Sequence, residues 1–243
     1  MSKLFVVGIG PGNYENMTIR ADNALKNAQV IVGYTVYVDL VRERYPGKEF
    51  LTTPMTREAI RCQLALDKAK EGRSVAMICS GDSGIYGMAA LLYELRGENI
   101  DPEIEVIPGL TAACSGGALL GAPLTHDFAV ISLSDRLTPW EKIEKRLECA
   151  AQADLSMVLY NPASHGRPDH LRRACEILLR VLPEERPCAV AQYIGREGEN
   201  RRFYTLGELK DAEVDMFCTV FIGNASTRMI GGNMVTPRGY RDV

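Results

Sequence analysis

Paired cysteines, histidine, aromatic side chains and long apolar runs are all scarce in this chain of 243 residues. There are three histidines and one tryptophan, and aromatics make up only 7%. The seven cysteines are Cys62, Cys79, Cys114, Cys149, Cys175, Cys188 and Cys218, and no two are closer than 13 positions. Metal-knuckle and iron–sulfur spacings are therefore missing, and no resident metal is expected. An odd count with apolar neighbours predicts reduced, buried thiols of the kind kept in a cytosol. No run approaches the ~18 apolar residues of a membrane helix. Met1-Ser-Lys leads straight into a strand-like run with no signal-peptide pattern. A soluble cytoplasmic protein without a membrane partner is the expectation. Basic charge is not in excess either: 28 Lys and Arg stand against 31 Asp and Glu, net −3. That excludes a general nucleic-acid binder, although a local basic cleft remains compatible with it.

What is present suffices for a large core, since 46% of the residues are hydrophobic. Short apolar runs alternate with helical patterns. Leu4–Gly8, Val30–Gly33, Ser74–Cys79, Ile104–Ile107, Phe128–Leu133 and Met157–Tyr160 read as strands. Ile19–Ala28, Arg57–Glu71, Ile85–Arg96, Pro139–Ala151 and Asp169–Val181 read as helices. Strands spaced by such helices predict an α/β fold with a largely parallel sheet. The last third differs, because Ala189–Ile194, Arg202–Thr205 and Thr219–Ile222 are strands with little helix between them. A mixed sheet is expected there. The small-residue stretch around Gly117–Pro123 marks a boundary, giving an N-terminal domain 1–118 and a C-terminal domain 119–243. Thr138, Pro139 and Glu141 predict a capping box at the start of the fourth of these helices.

Three glycine-rich turns follow strands in the first half: 8–12 (GIGPG), 80–87 (SGDSGIYG) and 108–112 (PGLTA). The first is not a dinucleotide fingerprint, because Asn13 stands where GxGxxG needs glycine, and no P-loop GK[ST] follows. An unspecific tight turn fits it equally well. Asp82 and Thr111 fit helix caps as well as ligand contacts. Their convergence at the carboxyl ends of successive strands is what points to a binding edge. Asn161-Pro162, 195–198 (GREG) and 223–226 (GNAS) end strands in the second half. A cleft lined from both domains is the economical picture.

Taken together, GIGPG at 8–12, GDSGIYG at 81–87, PGLTAA at 108–113 and PLTHDF at 123–128 resemble the tetrapyrrole (corrin/porphyrin) methyltransferases. Family members commonly have proline where this chain has Ser83. The strings at 131–147, 159–167, 195–199, 214–224 and 234–240 resemble the branch that methylates C-17 of a precorrin and contracts its ring in cobalamin synthesis. The resemblance covers essentially the whole chain. It implies two α/β domains holding S-adenosylmethionine (product S-adenosylhomocysteine) in the cleft between them, a tetrapyrrole substrate and a homodimer. Carried over by position, Pro11, Gly81, Asp82, Ser83, Tyr86, Thr111, Ala112, Asn161 and Gly195 are the implied cofactor contacts.

Methyl transfer from a sulfonium needs an aligned carbon nucleophile in a dry pocket, with no metal or covalent nucleophile. Ring contraction also needs a hydroxyl proton removed, and a base within reach would help. Asp135 and His126 are the candidates, beside the blander readings of a loop aspartate and a substrate-anchoring histidine. A substrate fringed with carboxylates calls for cations, and Arg136, Arg167, Arg196 and Arg238 all fall in strand-end loops. Two alternatives stand: a sibling methyltransferase acting at another ring carbon, and a non-catalytic tetrapyrrole-binding protein. Asp82→Ala is expected to weaken cofactor binding and leave the fold intact.

Overall fold

A computed structural model describes residues 3–240. The chain forms two compact units, Met1–Ala112 and Ala113–Val243. The expected boundary after residue 118 falls inside the helix that opens the second unit.

In the first unit the elements run β1 (Lys3–Gly8), α1 (Ile19–Asn27), β2 (Val30–Tyr34), α2 (Thr35–Asp39), β3 (Glu49–Thr53), α3 (Glu58–Lys70), β4 (Val75–Cys79), α4 (Ala89–Arg96) and β5 (Glu103–Ile107). The strands pair in the order β3-β2-β4-β1-β5, and every pair is parallel. Alternation explains the two faces. Val75, Met77 and Cys79 of β4 pack with Cys62, Ala65, Leu66 and Leu92 on the α3–α4 face. Ala76 and Ile78 pack with Ala21, Leu25 and Val38 on the α1–α2 face. Burial on both faces accounts for the unbroken apolar runs. The sequence reading missed β3 and α2. The edge strand EFLTT is only half covered, so it lacks the apolar run of its neighbours. The β-branched TVYVD reads as strand, and packing overrides that preference.

The second unit holds α5 (Ala112–Leu120, its first residue at the division), β6 (Gly121–Ala122), β7 (Phe128–Ser132), α6 (Trp140–Gln152), β8 (Ser156–Tyr160) and α7 (His170–Leu178). It continues with β9 (Pro187–Gln192), β10 (Asn200–Thr205), α8 (Leu206–Leu209), β11 (Cys218–Ile222), β12 (Arg228–Ile230) and β13 (Asn233–Val235). Its main sheet is mixed as expected, in the order β10-β9-β11-β8-β7 with only β7 and β8 parallel. A small sheet, β12-β13-β6, has strands of two or three residues, too short to leave a pattern.

The stretch read as a boundary is mostly helix α5. Its glycines have a packing reason: a Cβ on Gly116 would sit 2.8 Å from the Phe221 ring, so the helix lies directly on that buried side chain. Two local expectations fail. Pro139 is extended (ψ 142°) and is itself the N-cap of α6, with no side-chain cap. Thr138 is therefore one position too early for a capping box. The capping box occurs instead at Thr205 and Glu208, which cap α8 reciprocally. Helix α6 faces the core through Ile143, Leu147 and Ala150, with Trp140 packed at its edge. Helix α4 begins at Ala89 and not at Ile85, because Tyr86 has φ +55° and cannot continue a right-handed helix.

Candidate functional site

Parallel strands deliver their carboxyl ends to one edge, and the turns after β1, β4 and β5 meet there. Gly10 and Gly81 exchange both backbone hydrogen bonds, at 3.1 and 2.7 Å. A Cβ on Gly8 would approach Gly109 N to 2.6 Å and Gly81 O to 2.7 Å, and one on Gly109 would run into Gly81 O. Glycine is needed here because three backbones touch.

Asp82 ties these turns together. Its Oδ1 accepts from Gly84 N (2.7 Å) and Ile85 N (3.0 Å), and its Oδ2 accepts from Gly109 N (2.9 Å). The expectation that Asp82→Ala leaves the fold intact is therefore corrected, since the change strands three backbone donors. Ser83 is fully buried and donates to Ile107 O at 2.9 Å. With no exposed surface, its side chain fastens the turn to β5 and does not reach a ligand. Pro11 is buried and Thr111 nearly so, whereas Ala112 is half-buried. Ile85 and Tyr86 are exposed beside the glycines, and Tyr86 is held at positive φ, a strained state for an aromatic residue.

The second unit presents side chains at its corresponding edge. β7 and β8 are parallel, and β9 shares their direction because all antiparallel partners of β11 run alike. Asn161, at φ +55°, donates to Ser132 Oγ at 2.9 Å. Arg167 donates through Nε to Ser164 Oγ (3.1 Å) and through Nη1 to Ser134 Oγ (2.6 Å), and Nη1 lies 3.8 Å from Asp135 Oδ1. His170 Nε2 is 3.1 Å from Asp135 Oδ2, but off the line of an aligned hydrogen bond. The His170 ring stands edge-on to Trp140, and the Arg173 guanidinium lies 3.9 Å over that indole. Arg173 thus braces this stack.

Gly195 and Arg196 follow β9 onto the same edge. Gly195 has φ +67° and donates to Glu199 Oε2 at 2.6 Å, while Arg196 lies over Phe217. Arg136 is exposed in the loop after β7 and forms no ion pair among the described residues. A cavity of about 450 Å³ lies next to this cluster, lined by Ser164, His165, Asp215 and Met216 among others. His126 and Arg238 do not join it. They lie before β7, at the opposite end of that strand, where His126 Nε2 contacts Pro237 O (2.9 Å) and Arg238 reaches Thr125 O (3.4 Å). The two candidate bases, His126 and Asp135, thus lie at opposite ends of the five-residue strand β7.

The comparisons follow the same outline. A family model for Tetrapyrrole (Corrin/Porphyrin) Methylases matches residues 3–210. The chain belongs to the tetrapyrrole methylases. It is 46% identical to the probable cobalt-factor III C(17)-methyltransferase of Salmonella typhimurium, over 98% of this chain and 99% of that one. It is 39% identical to the precorrin-3B C(17)-methyltransferase of Sinorhizobium sp., over 98% and 96%. The crystal structure of the methyltransferase CobJ superposes with a TM-score of 0.90 at 37% identity, covering 98% of this chain and all of that one.

The electrostatics assign the methylase its side-chain roles. Burial works to raise the Asp135 carboxyl, but His170 and the Arg167 charge outweigh it and hold it below the usual carboxylate range. The carboxylate lies within ion-pair distance of both Arg167 and His170. Ser132, Ser134, Ser164 and His170 were not singled out from the sequence. Ser132 and Ser134 alternate along the end of β7, a period-two signal that was available. His170 was hidden because only the fold sets it opposite Asp135.

Proposed function

We propose that this protein is an S-adenosylmethionine-dependent enzyme that methylates C-17 of cobalt-factor III or precorrin-3B and contracts the macrocycle during cobalamin synthesis. The end-to-end 46% identity with a relative so named carries the reading, and the higher identity to that relative than to the precorrin-3B enzyme favours the cobalt-bearing substrate.

The first-unit turns suit the cofactor. Three close-packed backbone turns leave little side chain in the way, and exposed Ile85 and Tyr86 offer apolar surface to an amphiphilic ligand. Pro11, Gly81, Tyr86, Thr111 and Ala112 would hold it, with Asp82 and Ser83 fixing the turns beneath. When bound, S-adenosylmethionine supplies an electrophilic methyl group. The second-unit edge takes the substrate: Arg167, oriented by Ser134, Ser164 and Asp135, together with Arg136 and Arg196, faces acidic side chains of the macrocycle. Asn161 and Gly195 shape that edge through their left-handed backbones. His126 anchors the C-terminal segment, with Arg238 beside it.

No helix among the described residues is long and apolar enough to cross a membrane. We further infer a homodimer in the cytoplasm. All seven cysteines are free, which suits a reducing compartment. Light scattering checks the assembly, and a monomer mass rejects it.

The deciding experiment incubates the protein with cobalt-factor III or precorrin-3B and methyl-labelled S-adenosylmethionine, followed by mass and spectral analysis. One methyl gained at C-17 with a contracted ring supports the reading. Label at another carbon assigns a sibling activity, and no saturable binding of S-adenosylhomocysteine rejects the enzyme.

A further inference from the structure

Arg61 is a buried cation with no counter-charge among the described residues. It lies in the first turns of α3 and is only 5% exposed. Its Nε donates to Thr53 Oγ1 at 2.9 Å and its Nη2 to Pro54 O at 3.1 Å. No carboxylate lies within ion-pair distance of it among the described residues, although the surface arginines Arg20, Arg73, Arg172 and Arg180 all have one. Nη1 donates to no acceptor among the described residues. Burying a guanidinium without an anion is costly, and proteins do so where a ligand completes the pair.

Its position supports that reason. Thr53 ends β3, Tyr34 ends β2, and the two are register partners. The guanidinium stands 5.8 Å from the Tyr34 ring, which packs edge-on against Tyr37 at 5.2 Å. Its charge also acts on Cys79, the last residue of β4. Arg61 thus sits on the carboxyl edge of the sheet that carries the three glycine turns. Thr56, in the loop between Thr53 and Arg61, has φ +68°, a strained state for a β-branched residue of the kind that collects at ligand sites.

We propose that Arg61 is a carboxylate-binding residue of the active edge, its free guanidinium face receiving an acid group of a ligand. This deepens the function proposed above and rests on it. Two sources share that chemistry: the amino-acid carboxylate of the cofactor and an acid side chain of the macrocycle.

The test compares wild type with Arg61→Met and Arg61→Lys. Calorimetry is run with S-adenosylhomocysteine and with methylthioadenosine, which lacks the amino-acid carboxylate, and KM is measured for cobalt-factor III. Wild-type binding and turnover come first, so that failure of the general function is seen separately. If the cofactor is the source, Arg61→Met weakens S-adenosylhomocysteine about 10–100-fold and leaves methylthioadenosine unchanged. If the macrocycle is the source, KM for cobalt-factor III rises by that factor with both nucleoside affinities unchanged. Arg61→Lys recovers part of either loss. Unaltered affinities and KM in Arg61→Met overturn the proposal. So does an equal loss for both nucleosides with no change in KM, the mark of a purely structural arginine. Should Arg61→Met fail to fold, Arg61→Lys alone decides by the same ratios.

Discussion

In the first unit the working edge is finished with backbone, and in the second with side chains. The turns after β1, β4 and β5 interlock through Gly8, Gly10, Gly81 and Gly109, and the carboxylate of Asp82 is spent on their amides. The edge after β7 and β8 instead displays Ser132, Ser134, Asn161, Ser164 and Arg167 in linked hydrogen bonds, with Asp135 at ion-pair distance from Arg167. This backbone surface resists substitution because a Cβ on Gly8, Gly10 or Gly109 collides and Gly81 is held at positive φ. Side-chain surfaces change more readily while the sheet beneath persists. Under the proposed function, this division gives the cofactor an inflexible edge and the substrate an adjustable one.

The largest effect expected from that contrast is at Gly109. Gly109→Ala drives a methyl group into Gly81 O, where no flexible side chain can yield. A stability loss of about 1–3 kcal/mol is expected, together with loss of detectable S-adenosylhomocysteine binding. Thermal melting and calorimetry check both. A variant that melts and binds like wild type would remove the idea that interlocked backbones build this edge.

Arg167 sharpens the other half. Arg167→Met keeps the stem and loses the head that Ser134, Ser164 and Asp135 hold. KM for the tetrapyrrole is expected to rise about 10–100-fold, with S-adenosylhomocysteine affinity and melting temperature close to wild type. An unchanged KM would assign Arg167 to loop structure alone.

How far these edges were legible follows from the same contrast. Strand-end glycines are visible in a string of letters because glycine is the residue that touching backbones require, so the meeting of the three turns was legible. The hydrogen bonds by which Asp82 and Ser83 hold these turns were not, since only coordinates show which amide a carboxylate faces. The second unit's edge depends on residues distant in sequence. Asp135 was singled out, but its neighbours His170 and Arg167 were not linked to it, because only the fold brings them together. That His126 and Asp135 lie at opposite ends of β7 is likewise visible only in the fold. The expected boundary fell within α5, where glycines that looked like a linker serve close packing on Phe221.

The smallest effect tests the electrostatic side of the contrast. Asp135 ionises more readily in the folded protein than an ordinary aspartate does; burial opposes this, and His170 and Arg167 more than compensate. A lowered folded value means that the unfolded chain, with aspartate near 3.9, takes up the proton first as the medium is acidified. The stabilisation is therefore complete above about pH 5 and drains away as pH falls through 4 and below the folded value. A third of the carboxylate side chain is in water, and screening confines the contribution to about 0.2–1 kcal/mol. Denaturant midpoints of wild type and Asp135→Asn, measured at intervals from pH 6 to pH 3, should differ in favour of wild type at the upper end and converge at the lower. A gap that widens on acidification would mean that His170 and Arg167 do not favour the ionised carboxylate, and the oriented Arg167 would then need another support.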